Sequence, residues 1–283
     1  MKDLRLITIT LAMMTFVACG PIQRTRQSED TPVRTPETEN LLINLKKVSA
    51  RGFMFGHHDD TNYGIGWEGD EGRSDVKSVC GDYPAVISFD LGHIELGDTM
   101  SLDKVPFTKI RKEILNQYKR GGMSSLSWHL RNPLTGGDSW DVSDTTVVKS
   151  ILPGGANHEK FTGWVSKVSA FINSLQTEEG VKVPVLFRPW HEHTGSWFWW
   201  GEKLCTPEEY KALWHMTVDI LRNDGVDNAL YAYSPGSEPQ DTAQYLKRYP
   251  GDELIDLIGF DTYQFERDTY LANLEKSLAI VDS

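Results

Sequence analysis

The densest run of side chains able to do chemistry is Arg188-Pro189-Trp190-His191-Glu192-His193-Thr194-Gly195-Ser196-Trp197-Phe198-Trp199-Trp200-Gly201. Its one carboxylic acid, Glu192, stands between imidazoles and among indoles, downstream of the guanidinium of Arg188. The residues before it, 183–189, read as a strand. On an extended chain Arg188, Trp190 and Glu192 share a parity and point to one side, which puts Glu192 at the rim of a cavity with the guanidinium below it. Desolvation in such surroundings can hold a carboxyl protonated near neutral pH, as a general acid requires. Gly195 is a hinge before the aromatics at 197–200, and the Trp cluster from 190 to 200 is dense and set among polar residues, so stacking surface is expected there as well as core.

Other clusters carry less. His57, His58, Asp59, Asp60, His191 and His193 are metal-ligand types, but adjacent residues on a strand point apart and no third ligand sits at zinc spacing; no metal is expected, and these are read as hydrogen-bonded rim residues. Ser196 and Ser234 lack the glycines of a nucleophile elbow. Trp164 and Trp214 fall at apolar helix positions and are assigned to the core.

Six strand-like runs must position this chemistry: 53–57, 85–90, 122–128, 183–189, 229–234 and 257–263. They are apolar nearly throughout, as strands buried on both faces are. Helical patterns alternate with them. Phe161, Trp164, Val165, Val168, Phe171, Ile172 and Leu175 recur at helical spacing over 158–178, with Asn157 as the cap. Thr206-Pro207-Glu208-Glu209 is a capping box opening a helix to about Asn223, and further helices are expected at 106–120 and 268–281. The alternation predicts a parallel α/β sheet, open or closed. The loops 57–74, 129–156 and 190–205 gather Trp, His, Asp and Glu on one face, the way a (β/α)8 barrel builds its site.

Of the 283 residues 39% are hydrophobic, and the formal net charge of -11 makes nucleic acid an unsuitable partner. Lys2 and Arg5 precede an apolar run too short to span a bilayer, so residues 1–18 read as a signal peptide. Phe16-Val17-Ala18-Cys19-Gly20 is similar to a bacterial lipobox, with Cys19 as the lipidated residue. A flexible tether is expected at 19–39, followed by one domain at 40–283. The protein would be an exported bacterial lipoprotein of the periplasm or outer membrane, touching the membrane only through its lipid anchor. Cys80 and Cys205 fall at opposite ends of a parallel sheet and are expected to be free thiols.

The run from Arg188 to Gly201 closely resembles the acid/base segment of glycoside hydrolase family 26, whose best-known members are β-mannanases. The resemblance extends to Phe53-Met54-Phe55-Gly56-His57-His58-Asp59-Asp60, to Ser127-Trp128-His129-Leu130 and to Gly259-Phe260-Asp261-Thr262-Tyr263, and covers residues 40–283. It implies a retaining glycosidase on a (β/α)8 TIM barrel, acting on β-1,4-mannosidic bonds of mannan, galactomannan or glucomannan without a cofactor. Glu192 would be the catalytic acid/base. His191 and Arg188 would orient the carboxyls, His129 and Trp197 would line the sugar site, Tyr263 would hydrogen-bond the nucleophile, and Asp261 would lie in the same cleft. Trp67 and Trp140 divide between loop packing and outer sugar subsites.

Retention needs a second carboxylate, which in the family ends the seventh strand. Only about six βα units are present here, so the nucleophile is expected beyond residue 283, and the first and sixth strands are expected to present open edges. Asp90 and Glu95 are lesser candidates for the nucleophile. The alternatives are a noncatalytic glycan-binding lipoprotein derived from such an enzyme, and a family member acting on β-1,3-xylan or mixed-linkage β-glucan.

Overall fold

The computed structural model describes residues 34–263 and 267–283. The expected signal peptide 1–18, the lipidation site Cys19 and the tether as far as residue 33 lie outside the described residues. The rest of that expected tether is not loose. Thr35 caps α1 (Pro36–Ser49) by accepting from the Thr38 amide, proline occupies the first turn, and acidic residues open the helix while lysines close it. Ahead of the cap, Arg34 pairs with Asp256, and the Thr35 amide donates to the Asp227 carbonyl. Residues 36–39 therefore belong to the folded domain, because Thr35-Pro36-Glu37 is a helix start like Thr206-Pro207-Glu208.

The strand runs form β1 (Gly56–His58), then, after a hairpin of β2 (Tyr63–Gly64) and β3 (Trp67–Glu68), β4 (Val86–Asp90), β5 (Met123–Ser127), β6 (Val185–Arg188), β7 (Ala229–Tyr233) and β8 (Leu257–Ile258). Apart from the hairpin these make one six-stranded sheet in the order β1-β4-β5-β6-β7-β8, every pair parallel. Sheet order that follows chain order, with helical crossovers between neighbours, is the winding of a (β/α)8 barrel. Among the described residues β1 and β8 each pair on one side only. Phe53 and Phe55 beside β1, and Ile258 in β8, are exposed.

Register explains where the polar residues go. Phe89, Leu126 and Phe187 lie side by side, fully buried in the apolar core. One residue on, Asp90, Ser127 and Arg188 lie side by side at the C-terminal ends of β4, β5 and β6 and face the other way. The strands are thus less uniformly apolar than the runs suggested. Their inner face carries Ser88, Ser125, Asp90 and Ser127, and this polar row is the floor of the site. The run at 257–263 keeps only Leu257–Ile258 as strand, and the rest extends into the site.

The helices between strands are α2 (Asp75–Cys80), α3 (Phe107–Lys119), α4 (Val147–Ile151), α5 (His158–Asn173), α6 (Pro207–Asn223) and α7 (Thr242–Leu246), and α8 (Arg267–Asp282) follows β8. α5 buries Phe161, Trp164, Val165, Val168, Phe171 and Ile172, as the spacing predicted. It stops at Asn173, where Val183 bonds back to the Leu175 carbonyl and a turn at Gly180 ends the helix short of 178. Asn157 does not cap it, since its amide donates to Ser150 instead. In α6 both halves of the capping box are formed. Cys80 is an exposed thiol ending α2, and Cys205 is a buried one.

Candidate active site

Asp90 closes β4 and accepts four hydrogen bonds. Its Oδ1 takes the amides of Gly92 (2.6 Å) and His129 (3.1 Å), and its Oδ2 takes the Ser127 hydroxyl (2.6 Å) and His129 Nδ1 (2.7 Å). Burial disfavours the charge, but His129 and the other donors more than reverse this and hold the carboxyl well below the usual range. Glycine is required at Gly92, where a Cβ would sit 2.3 Å from Leu102 and 2.7 Å from the His129 carbonyl. Glu95 is likewise engaged. It accepts from Trp128 Nε1 (3.1 Å) and the Arg131 amide (2.8 Å), and burial raises its pKa. Asp90 and Glu95 therefore fit the nucleophile's role poorly, because their lone pairs already anchor the loop that carries His129.

The acid-bearing segment departs from the strand geometry assumed from parity. β6 ends at Arg188, and Trp190 (φ 55°) and Glu192 (φ 54°) both adopt left-handed backbone. Trp190 consequently turns into the core against Trp128, Phe161, Trp199 and Trp200, whereas Glu192 faces the cleft. Side chains from elsewhere fix this unusual path. Tyr210 donates to the Trp190 carbonyl (2.8 Å), Trp200 to that of His191 (2.9 Å) and Arg248 to that of His193 (2.7 Å). Arg248 is fully buried and also donates to the carbonyls of Trp200 and Cys205 and to Cys205 Sγ, while lying over the Tyr210 ring. Most of the expected stacking surface is thus core: Phe198, Trp199 and Trp200 are buried, and Trp197 alone of that group is exposed.

Glu192 is 8% exposed. Burial and the charge of Asp261 raise its pKa, against the pull of Trp197 and Arg188. Trp197 Nε1 donates to Oε2 at 2.7 Å, and the Tyr263 hydroxyl stands 3.5 Å from Oε1, the outer limit for such a bond. Gly195 permits this, because a Cβ there would lie 2.3 Å from the Trp197 ring. Arg188 Nη1 donates to both oxygens of Asp261 (2.8 and 2.7 Å) and to Ser234 (3.0 Å). Burial raises the pKa of Asp261 even so. His191 Nε2 lies 3.1 Å from His129 Nε2. Burial, then the charge of Arg188, holds His191 well below its ordinary pKa, so it is neutral.

One locale thus gathers His129, Arg188, His191, Glu192, Trp197, Asp261 and Tyr263. Sequence reasoning left Trp140 undecided. It stacks on His129 (5.4 Å, 12°), is half exposed, and forms a second aromatic wall. Trp67 belongs to loop packing, buried with Nε1 on Asp75. His193 is sandwiched between Tyr210 and Tyr233 and held neutral by burial and Arg248. Among the described residues the one cluster of metal-ligand types is His58, Asp59 and Asp103. Burial would lower the His58 pKa, yet its hydrogen bonds to the Asp103 and Asp59 carboxylates raise it to about 10. The ring is therefore a cation that offsets part of the charge of the two carboxylates. Asp103 arrives from another loop, so spacing did not reveal it.

A protonatable carboxyl between aromatic walls, with the neutral imidazole of His191 and a compensated guanidinium around it, suits proton transfer to an oxygen of an uncharged ring-shaped ligand. The family model for glycosyl hydrolase family 26 matches residues 31–279. A mannan endo-1,4-beta-mannosidase of Bifidobacterium adolescentis is 37% identical over 236 residues, covering 81% of this chain and 23% of that protein. One of Bacillus subtilis is 27% identical over 244 residues, covering 81% and 64%. The chain spans less than two thirds of the length of either curated relative. Among solved structures, a GH26 beta-mannanase from Bacteroides ovatus superposes with a TM-score of 0.86 at 63% identity, over 87% of this chain and 72% of that one. GH26C from a Muricauda species superposes at 0.80 and 34% identity, over 89% and 70%.

Proposed function

The chain belongs to glycosyl hydrolase family 26, and on that premise we propose that it cleaves β-1,4-mannosidic bonds of mannan, galactomannan or glucomannan by double displacement with retention. The observation that carries the proposal is Glu192: a carboxyl with raised pKa, set by Trp197 in an aromatic cleft. Protonated, it donates to the glycosidic oxygen as the bond breaks. Ionised, and then steadied by the Trp197 N–H, it takes the proton of the attacking water. Trp197 and Trp140 offer faces for sugar rings. Retention also needs an opposing carboxylate ~5–5.5 Å away. Asp90, Glu95 and Asp261 are committed to other donors, so this proposal places the nucleophile outside the described residues. We further propose export as a lipoprotein through Cys19, which rests on the residues before it.

The test is reducing-end release from a panel of polysaccharides by the polypeptide that carries this chain, with the anomer of the first product read by NMR. Galactomannan and glucomannan should be cut with retention, and Glu192→Ala should lower turnover by ~10²-fold or more while mannotetraose still binds. Cleavage of β-1,3-xylan or mixed-linkage β-glucan without galactomannan would overturn the substrate assignment. Binding without turnover by the native protein would favour the noncatalytic reading.

A further inference from the structure

We propose that Asp90 is a positioning residue that sets, through His129, the tautomer of His191 beside the acid/base. The argument is a proton count. A carboxylate accepting four hydrogen bonds has no proton to give, so the 2.7 Å contact with His129 requires a hydrogen on His129 Nδ1. The next contact joins two ring nitrogens, His129 Nε2 and His191 Nε2, at 3.1 Å, and only one of them can carry the proton between them. Two arrangements satisfy this. In the first, His129 is neutral with a bare Nε2, and His191 Nε2–H donates to it, leaving His191 Nδ1 as a bare lone pair. In the second, His129 is a cation donating to His191, whose own hydrogen must then sit on Nδ1.

His191 Nδ1 decides between them. It is buried and has no hydrogen-bond partner. A buried N–H with no acceptor is costlier and rarer than a buried lone pair with no donor. The first arrangement therefore prevails: Asp90 fixes His129 as the Nδ1–H form, and His129 fixes His191 as the Nε2–H form. In this arrangement neither ring carries a charge. That matters to Glu192, because positive charge on His129 would favour its ionised form and deplete the acid. The geometry is independent of the proposed hydrolysis; only the kinetic consequence rests on that reading.

Asp90→Asn separates the two. Its Oδ1 can keep the amides of Gly92 and His129, and an Nδ2 in place of Oδ2 can donate to Ser127 and to His129 Nδ1. That forces the His129 hydrogen to Nε2 and the His191 hydrogen to Nδ1. The tautomers are read from long-range 15N–1H correlations of histidine-labelled protein at neutral pH, assigned with His129→Gln and His191→Gln. The native protein should show a protonated Nδ1 and a bare Nε2 on His129 and the reverse on His191, and Asp90→Asn should invert both. A native His129 protonated on both nitrogens, or a pattern unmoved by Asp90→Asn, overturns the proposal whether or not the protein cuts mannan. In the kinetic arm Asp90→Asn should lower kcat at least tenfold with KM within about threefold; inverted tautomers with unchanged kcat would refute the link to catalysis and leave the hydrolase reading standing.

Discussion

Trp197→Phe isolates one hydrogen bond on the acid. The indole N–H lies 2.7 Å from Glu192 Oε2 and can serve only as a donor, so it favours the ionised carboxyl over the protonated one. A hydrogen bond to a charged group is worth ~1.5–3 kcal/mol. Trp197 is 40% exposed, so water recovers part of this, and about 1 kcal/mol is lost on removal. At ~1.4 kcal/mol per pKa unit the carboxyl rises by about 0.7 units. The acid form then survives to higher pH, and the alkaline limb of kcat/KM, which reports the acid of the free enzyme, should move upward by that amount. The assay is initial rate on a soluble manno-oligosaccharide across the limb. The absolute kcat/KM should fall if, as proposed, Trp197 offers its face to a sugar ring, but the position of the limb is independent of that loss. A limb that stays in place or moves toward acid would refute the role given to the indole.

Gly195→Ala should reproduce that upward shift with the indole intact, since the new methyl would push the Trp197 ring aside; unchanged pH profiles would show that the loop yields elsewhere. His58 has a folded pKa of about 10 against 6.5, so it contributes stability that is complete below pH 6.5 and fades as pH climbs toward 10. Thermal melts across that window should show a decline that is absent in His58→Gln. Arg248→Met strands buried carbonyls and a thiol that now share one guanidinium, and should cost ~3 kcal/mol in urea unfolding; a loss below 1 kcal/mol, measured as the change in midpoint, would count against the clamp.

Much of the architecture was legible because it depends on local rules. The α5 stripe and the Thr206 box follow from side-chain spacing and capping, and each runs through a single stretch of chain. The first helix was equally legible in Thr35-Pro36-Glu37, yet the polar composition around it reads as tether when composition is weighed over a longer window. Glu192 could be singled out from its neighbours alone. The direction of Trp190 could not, because the left-handed turns at 190 and 192 are imposed by Tyr210, Trp200 and Arg248, residues brought in by later helices and loops. Asp90 looked like a candidate reacting group because its type was visible and its donors were not: Ser127 and His129 reach it only through the β4–β5 register.

The backbone at Glu192 has one more consequence. A left-handed conformation costs a residue other than glycine ~1–2 kcal/mol, and this one also buries an acid. Replacing it with glycine would relieve both burdens at once, so the Glu192→Gly protein should outlast the native one on heating. On the proposed function, sturdiness and reactivity are opposed at this single residue, and a lineage selected for endurance alone would discard that acid early.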